Sequence, residues 1–105
     1  MDMVQRFKGL SDPVRLRIFH ILAAKGELCV CHLTEGLSLP QSTVSRHLSL
    51  LKQSRLIAAE RKGKWVYYQL LDDTVVQTLA KLILQQVSAD SRLQKDVQEI
   101  NNITC

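Results

Sequence analysis

The chain has 105 residues, a formal net charge of +4 and an apolar content of 46%, values that suit one globular domain and exclude a disordered chain. It holds no apolar run near the roughly 18 residues of a membrane span, and its first dozen residues, MDMVQRFKGLSD, carry charges and no apolar h-region, so a cytoplasmic protein without membrane contact is expected. Three cysteines, an odd number, speak for thiols or metal ligands over a disulfide framework.

In chain order, Met3–Leu10 is an amphipathic segment. SDPVRLRIFHILAAKG reads as a complete helix: Ser11 or Asp12 can cap it, Pro13 suits its first turn and Gly26 lies past its end. Val14, Leu16, Ile18, Ile21 and Leu22 form its apolar stripe. VCHLTEGL, residues 30–37, predicts a short helix, and SLP a tight connection. Pro40 fits the first turn of a further helix to about Ser54, with Val44, Leu48 and Leu51 at helical spacing. Two short helices joined by a few residues make a helix-turn-helix.

LIAAERKGKWVYYQLL then shows two short runs about Lys62-Gly63. Val66, Tyr68 and Leu70 alternate with Trp65, Tyr67 and Gln69, which predicts a β-hairpin with a basic tip. A hairpin directly after a helix-turn-helix is the wing of a winged helix. From Asp73 to about Ser88 the pattern is helical, with Asp72 and Asp73 near the positive end. Val75, Val76, Leu79, Leu82, Ile83, Leu84 and Val87 exceed what one face of a peripheral helix needs. With Met3–Leu10 they predict a helical homodimer interface. The tail SADSRLQKDVQEINNITC is more polar, with room for one weak helix. The expected fold is mainly α with a β-hairpin wing (α+β), a winged helix-turn-helix dimeric through its N- and C-terminal helices. Residues 1–89 would form the DNA-binding and dimerisation domain, and residues 90–105 a polar tail carrying Cys105.

The basic excess is local. Between Gln41 and Lys64, Arg46, Lys52, Arg55, Arg61, Lys62 and Lys64 face a single acid, Glu60, as expected for a footprint on a polyanion. Major-groove reading needs an exposed helix whose first turns carry donors and acceptors while the other face stays packed. Gln41, Ser42, Thr43, Ser45 and Arg46 can reach base edges or phosphates of double-stranded DNA, while Val44 and Leu48 face inward. Arg61, Lys62 and Lys64 suit the backbone or a minor groove. His47 reads equally as a DNA contact or a hydrogen-bonded structural histidine. The bland alternative for the whole segment is a polar helix face beside an ordinary hairpin. No nucleophile–base pairing or phosphate-cradling loop is visible, so no enzyme is expected.

Upstream of this segment stands Cys29-Val30-Cys31. Cysteines are often simply small buried hydrophobes. At a helix N-terminus, however, a thiol pKa falls and the thiolate that binds soft ions becomes available. Two thiolates suit arsenic(III), antimony(III), Cd(II), Pb(II) or Zn(II). Residues i and i+2 of a regular helix point about 200° apart. If both cysteines lie in regular helix, ligation must unwind or tilt the first turn of residues 30–37 and so displace the reading helix.

Together, SDPVRLRIFHIL, ELCVCHL, LPQSTVSRHLSLLKQSRLI and RKGKWVYYQL resemble the ArsR/SmtB family of bacterial metal-responsive repressors, over about residues 7–85. The resemblance implies a dimeric winged helix that binds a pseudo-palindromic operator and releases it when an inducer binds. It also implies an inducer site of one of three kinds. The zinc site on the last helix needs histidines there, but His20, His32 and His47 are the only ones. The cadmium and lead type needs cysteines from an N-terminal extension, and none is present. The arsenic type uses a CVC pair plus a third cysteine, as in ELCVCDLC. Here Thr34 stands at the third thiol's place and His32 replaces the aspartate. The expected site for As(III) or Sb(III) is therefore Cys29, Cys31 and Cys105, the last from the same or the partner subunit. A two-thiolate site completed by an outside thiol, with Cys105 incidental, is the alternative. A repressor of the same fold that senses oxidants or reactive sulfur through these thiols is the rival function.

Overall fold

A computed structural model describes residues 2–86 and 91–103 of the chain. Helix α1 spans Asp2–Leu10 and α2 Pro13–Lys25; a two-residue strand β1, Leu28–Cys29, leads into α3, Val30–Leu37. Helix α4, Gln41–Gln53, is followed by β2, Ile57–Lys62, and β3, Trp65–Leu70, then by α5, Thr74–Gln86, and α6, Ser91–Asn101. The α3–α4 unit with the β2–β3 hairpin is the winged helix-turn-helix that the patterning predicts.

Local chemistry explains most boundaries. Asp12 caps α2, accepting hydrogen bonds from the amides of Val14 at 2.9 Å and Arg15 at 3.1 Å, with Pro13 in the first turn. Burial works to raise the Asp12 pKa, but the Arg15 amide, the charges of Arg15 and His47, and the Val14 amide together hold it below the usual carboxylate range. Asp73 caps α5 in the same way, through Val75 and Val76 at 2.9 and 3.2 Å. Gly63, at φ 65°, is the first residue of the two-residue wing loop between Lys62 and Trp65, which pair across it. A type II′ hairpin turn requires a glycine at that position.

Two features go beyond the sequence reading, which gave the wing as a hairpin and allowed the tail one weak helix. The wing is not a lone hairpin: β1 pairs antiparallel with β3, Leu28 opposite Tyr68 and Cys29 opposite Tyr67, giving a three-stranded sheet ordered β1-β3-β2. The polar tail carries α6, whose one buried face holds Leu93, Asp96 and Ile100. Ile100 joins the core of Ile18, Phe19, Ile21, Leu22, Leu33, Leu37, Val44, Leu48 and Leu51. Its Cδ1 occupies the space where a Cβ on Gly36 would lie, so that glycine lets α6 press against α3. Arg17 holds Asp96 through two hydrogen bonds of 2.9 Å. The apolar positions of the tail are few, so their burial is a product of tertiary contact.

Arg6, on α1, is buried; it pairs with Asp73 at 3.2 Å and donates from Nε to the Arg55 carbonyl at 3.3 Å. One guanidinium thus joins α1, the exit of α4 and the start of α5. Met3, Val4 and Phe7 on α1, and Leu82 and Leu84 on α5, remain exposed.

Candidate nucleic-acid interface and thiol site

Helix α4 buries Val44, His47, Leu48 and Leu51. Its first turns present Gln41, Ser42 and Arg46 fully and Thr43 and Ser45 in part. The expected readers therefore share one face. His47 does not share it. It is 6% exposed, with Nδ1 3.3 Å from Arg15 Nη1 and 3.8 Å from the Asp12 carboxylate. The helical register that turns Val44 and Leu48 inward turns His47 inward too, against the start of α2. This burial supports the structural reading of His47 over the reading as a DNA contact. Burial, with the charges of Arg46 and Arg15, holds its pKa below the ordinary imidazole value, against the pull of Asp12.

At the wing tip Arg61, Lys62 and Lys64 are exposed. Lys64 lies over the Trp65 ring, 5.6 Å from its centroid. Lys62 donates to Glu27 at 2.6 Å and lies 5.2 Å from the Tyr67 ring centroid. The hydrogen bond to Glu27 raises the Lys62 pKa. Glu27 competes with a phosphate for the Lys62 ammonium, a competition invisible in the sequence because the two residues lie 35 positions apart.

The cysteines occupy a junction rather than a helix. Cys29 ends β1 and is the N-cap of α3, with extended backbone at φ −85° and ψ 166°. Cys31 lies in the first turn. The side chain of an N-cap residue naturally leans over the second and third helical positions, which here are Cys31 and His32. Cys29 Sγ accordingly lies 2.7 Å from Cys31 Sγ and 3.0 Å from His32 Nδ1. The expectation that ligation must unwind the first turn is thereby corrected: its premise was regular helix at both cysteines, and the strand-to-helix corner already converges the sulfurs. Cys29 is a buried free thiol, whereas Cys31 is not free in this structure, so ligation by both sulfurs requires Cys31 reduced. Cys105, the expected third ligand, lies outside the described residues. Thr34, at the place of the missing third thiol, has its buried Oγ1 without a hydrogen-bond partner among the described residues. Sequence reasoning missed His32 as a donor. The signal that finds it is the N-cap-to-third-residue spacing of Cys29 and His32, the spacing of a capping box.

Fold and exposed helix face define a DNA-binding regulator of transcription of the winged helix-turn-helix class. Residues 12–59 match the signature of the bacterial regulatory proteins of the arsR family. The chain is 46% identical to the arsenical resistance operon repressor of Bacillus subtilis strain 168, over 68% of each chain. It is 41% identical to a cadmium resistance transcriptional regulatory protein, the CadC homolog of Staphylococcus aureus, over 82% of this chain and 71% of that one. Among solved structures, the homodimeric winged helix-turn-helix DNA-binding domain Mb0332 from Mycobacterium bovis superposes with a TM-score of 0.72. It is 31% identical, over 89% of this chain and 82% of that one. The chain belongs to the ArsR family, and it is a regulator rather than an enzyme.

Proposed function

We propose that this protein is a homodimeric cytoplasmic repressor that binds double-stranded operator DNA and leaves it when As(III) or Sb(III) binds its cysteine thiolates. The observation that carries the inducer reading is the 2.7 Å approach of Cys29 Sγ and Cys31 Sγ at the corner before α3. The arsenical resistance repressor to which the chain is similar supports the same class of signal. Gln41, Ser42, Thr43, Ser45 and Arg46 read the major groove, and Arg61, Lys62 and Lys64 hold the backbone or a minor groove. The exposed apolar residues of α1 and α5 form the dimer interface, in keeping with the homodimeric Mycobacterium bovis domain. Cys105 supplies the third thiolate.

Release follows from where the sulfurs sit. Cys29 belongs to the strand that pairs with the wing at Tyr67, and Cys31 to the helix packed against α4. An ion held by both fixes the wing strand relative to α3 and alters the docking of the two DNA-contacting elements. Anisotropy of a labelled operator fragment, with arsenite and antimonite titrated under reducing conditions, tests this. Release by wild type and none by the Cys29→Ser/Cys31→Ser variant is expected; release by both would defeat it. That Cys31 is not free here favours a second reading, a redox-sensing repressor. In that case peroxide or polysulfide would release the operator with loss of titratable thiols, and arsenite would not.

A further inference from the structure

Lys62 on β2 donates to Glu27 Oε1 at 2.6 Å, and its ammonium lies 5.2 Å from the centroid of the Tyr67 ring. From this arrangement we propose that Glu27 is a positioning residue for the wing and an intramolecular competitor of the DNA phosphate. It draws Lys62 back from the wing tip and so sets the affinity of the wing for duplex. The proposal rests on the reading that the wing cations contact the DNA backbone, and deepens it by naming the residue that restrains one of them.

The sheet supplies the geometry. Its strand order is β1-β3-β2, so Lys62 stands on one edge strand and Glu27 immediately precedes the other. Tyr67 lies in the central strand, opposite Cys29 on one side and Glu60 on the other. The register pairs Lys62 with Trp65 across the tip. Residues two apart along a strand share a face, and so do cross-strand partners. Lys62, Trp65 and Tyr67 therefore stand on one face of the sheet. The Lys62 stem runs diagonally over Tyr67 toward the β1 side, which leaves its charge over the body of the sheet rather than past the loop. The ring gives the ammonium a second favourable contact there.

Charge and exposure give the contact its effect on DNA. A carboxylate and a phosphodiester each carry one negative charge and accept from the same ammonium hydrogens. If Lys62 turns to a phosphate, the bond to Glu27 is lost. If Lys62 keeps Glu27, the carboxylate is held against the phosphate charge. Either course lowers affinity. The side chains of Lys62 and Glu27 are 49% and 30% exposed, so the bond breaks without opening the core. Exposed ion pairs are weak, and the restraint is correspondingly modest, about two- to fivefold in affinity for each wing. Arg61 and Lys64, exposed at the same tip, keep their hold on the backbone, so Glu27 tunes the grip of the wing without abolishing it.

The test is anisotropy of the full chain, reduced, on a labelled operator fragment and on a scrambled duplex of equal length, over a salt series. It compares wild type, Glu27→Gln, Lys62→Met and the double variant, each folded by circular dichroism. Glu27→Gln is expected to bind about two- to fivefold more tightly per wing, and to do so on both duplexes, because phosphate contacts carry no sequence information. The advantage should shrink as salt rises, since screening weakens the ion pair and the carboxylate–phosphate repulsion alike. Lys62→Met should bind more weakly, and in that background Glu27→Gln should change affinity by less than about twofold in total. A larger gain without Lys62 would be general charge repulsion and overturns the proposal, as does a Glu27→Gln variant that binds no more tightly than wild type. In both of those cases a weakened Lys62→Met leaves the wing reading standing. Lys62→Met binding like wild type removes Lys62 from the phosphate contacts and defeats both.

Discussion

Replacing Asp96 with alanine removes one partner of the ion pair that ties α6 to α2. Arg17 holds both Asp96 oxygens at 2.9 Å, and the side chains are 2% and 18% exposed for Asp96 and Arg17. A hydrogen bond to a charged group contributes about 1.5–3 kcal/mol net, and breaking a buried pair from one side costs about 3–5 kcal/mol. Arg17 retains some contact with water, so its orphaned guanidinium recovers part of its hydration and the low end of the range applies, about 3 kcal/mol. In a domain of this size each kcal/mol lowers Tm by about 4–8 °C, so a fall of about 12 °C or more is expected. Thermal and urea unfolding of wild type and Asp96→Ala, at one fixed protein concentration because the Tm of the proposed dimer would depend on it, measures this. Arg17→Met combined with Asp96→Leu removes both charges and should return to within about 1 kcal/mol of wild type, since paired apolar replacement of a buried ion pair is often neutral. A loss below about 0.5 kcal/mol for Asp96→Ala, the range of ordinary surface substitutions, would refute the reasoning and make α6 a surface attachment.

Gly36→Ala should destabilise the fold by about 1–3 kcal/mol in urea, because the new Cβ meets Ile100; at an exposed helical site the same change would stabilise by up to about 1 kcal/mol, so the sign alone decides. His47 has a pKa below its ordinary 6.5, so the unfolded chain takes up the proton first as pH falls. Its contribution is complete above about pH 6.5, the unfolded value, and is lost as pH drops through the folded value. The Tm of wild type should therefore fall more steeply than that of His47→Gln between about pH 7.5 and 5.5, and parallel profiles would refute this. Arg61→Ala and Lys64→Ala should each weaken binding to any duplex and reduce the slope of log affinity against log salt by about 1; an unchanged slope would remove that residue from the phosphate contacts.

The helix-turn-helix and wing were legible because their signals are local. Asp12 with Pro13, and Asp73, cap helices through amides two and three residues away. The alternation of Val66, Tyr68 and Leu70 shows the hairpin because strand side chains repeat every two residues. The placement of Gln41, Ser42 and Arg46 on an open face follows from the helical spacing of Val44, Leu48 and Leu51. His47 lies on that same spacing and was ambiguous only because imidazole suits either environment.

What the chain's residues determined alone is thus the helices and the wing hairpin, the aspartate caps and the basic, polar face that α4 and the wing present. The tertiary structure decided the rest. Leu28 and Cys29 are too short a run to announce a strand, and become one only because β3 offers an edge. That pairing makes Cys29 extended and turns its sulfur onto Cys31 and His32. The pairing of Lys62 with Glu27 and of Arg17 with Asp96, the latter 79 residues apart in sequence, depends on how the elements pack, since charge patterning along a chain carries no distance across it. The Cys29, Cys31 and His32 group combines both levels: its residues are adjacent in sequence, and a long-range strand pairing aims their donor atoms at one point.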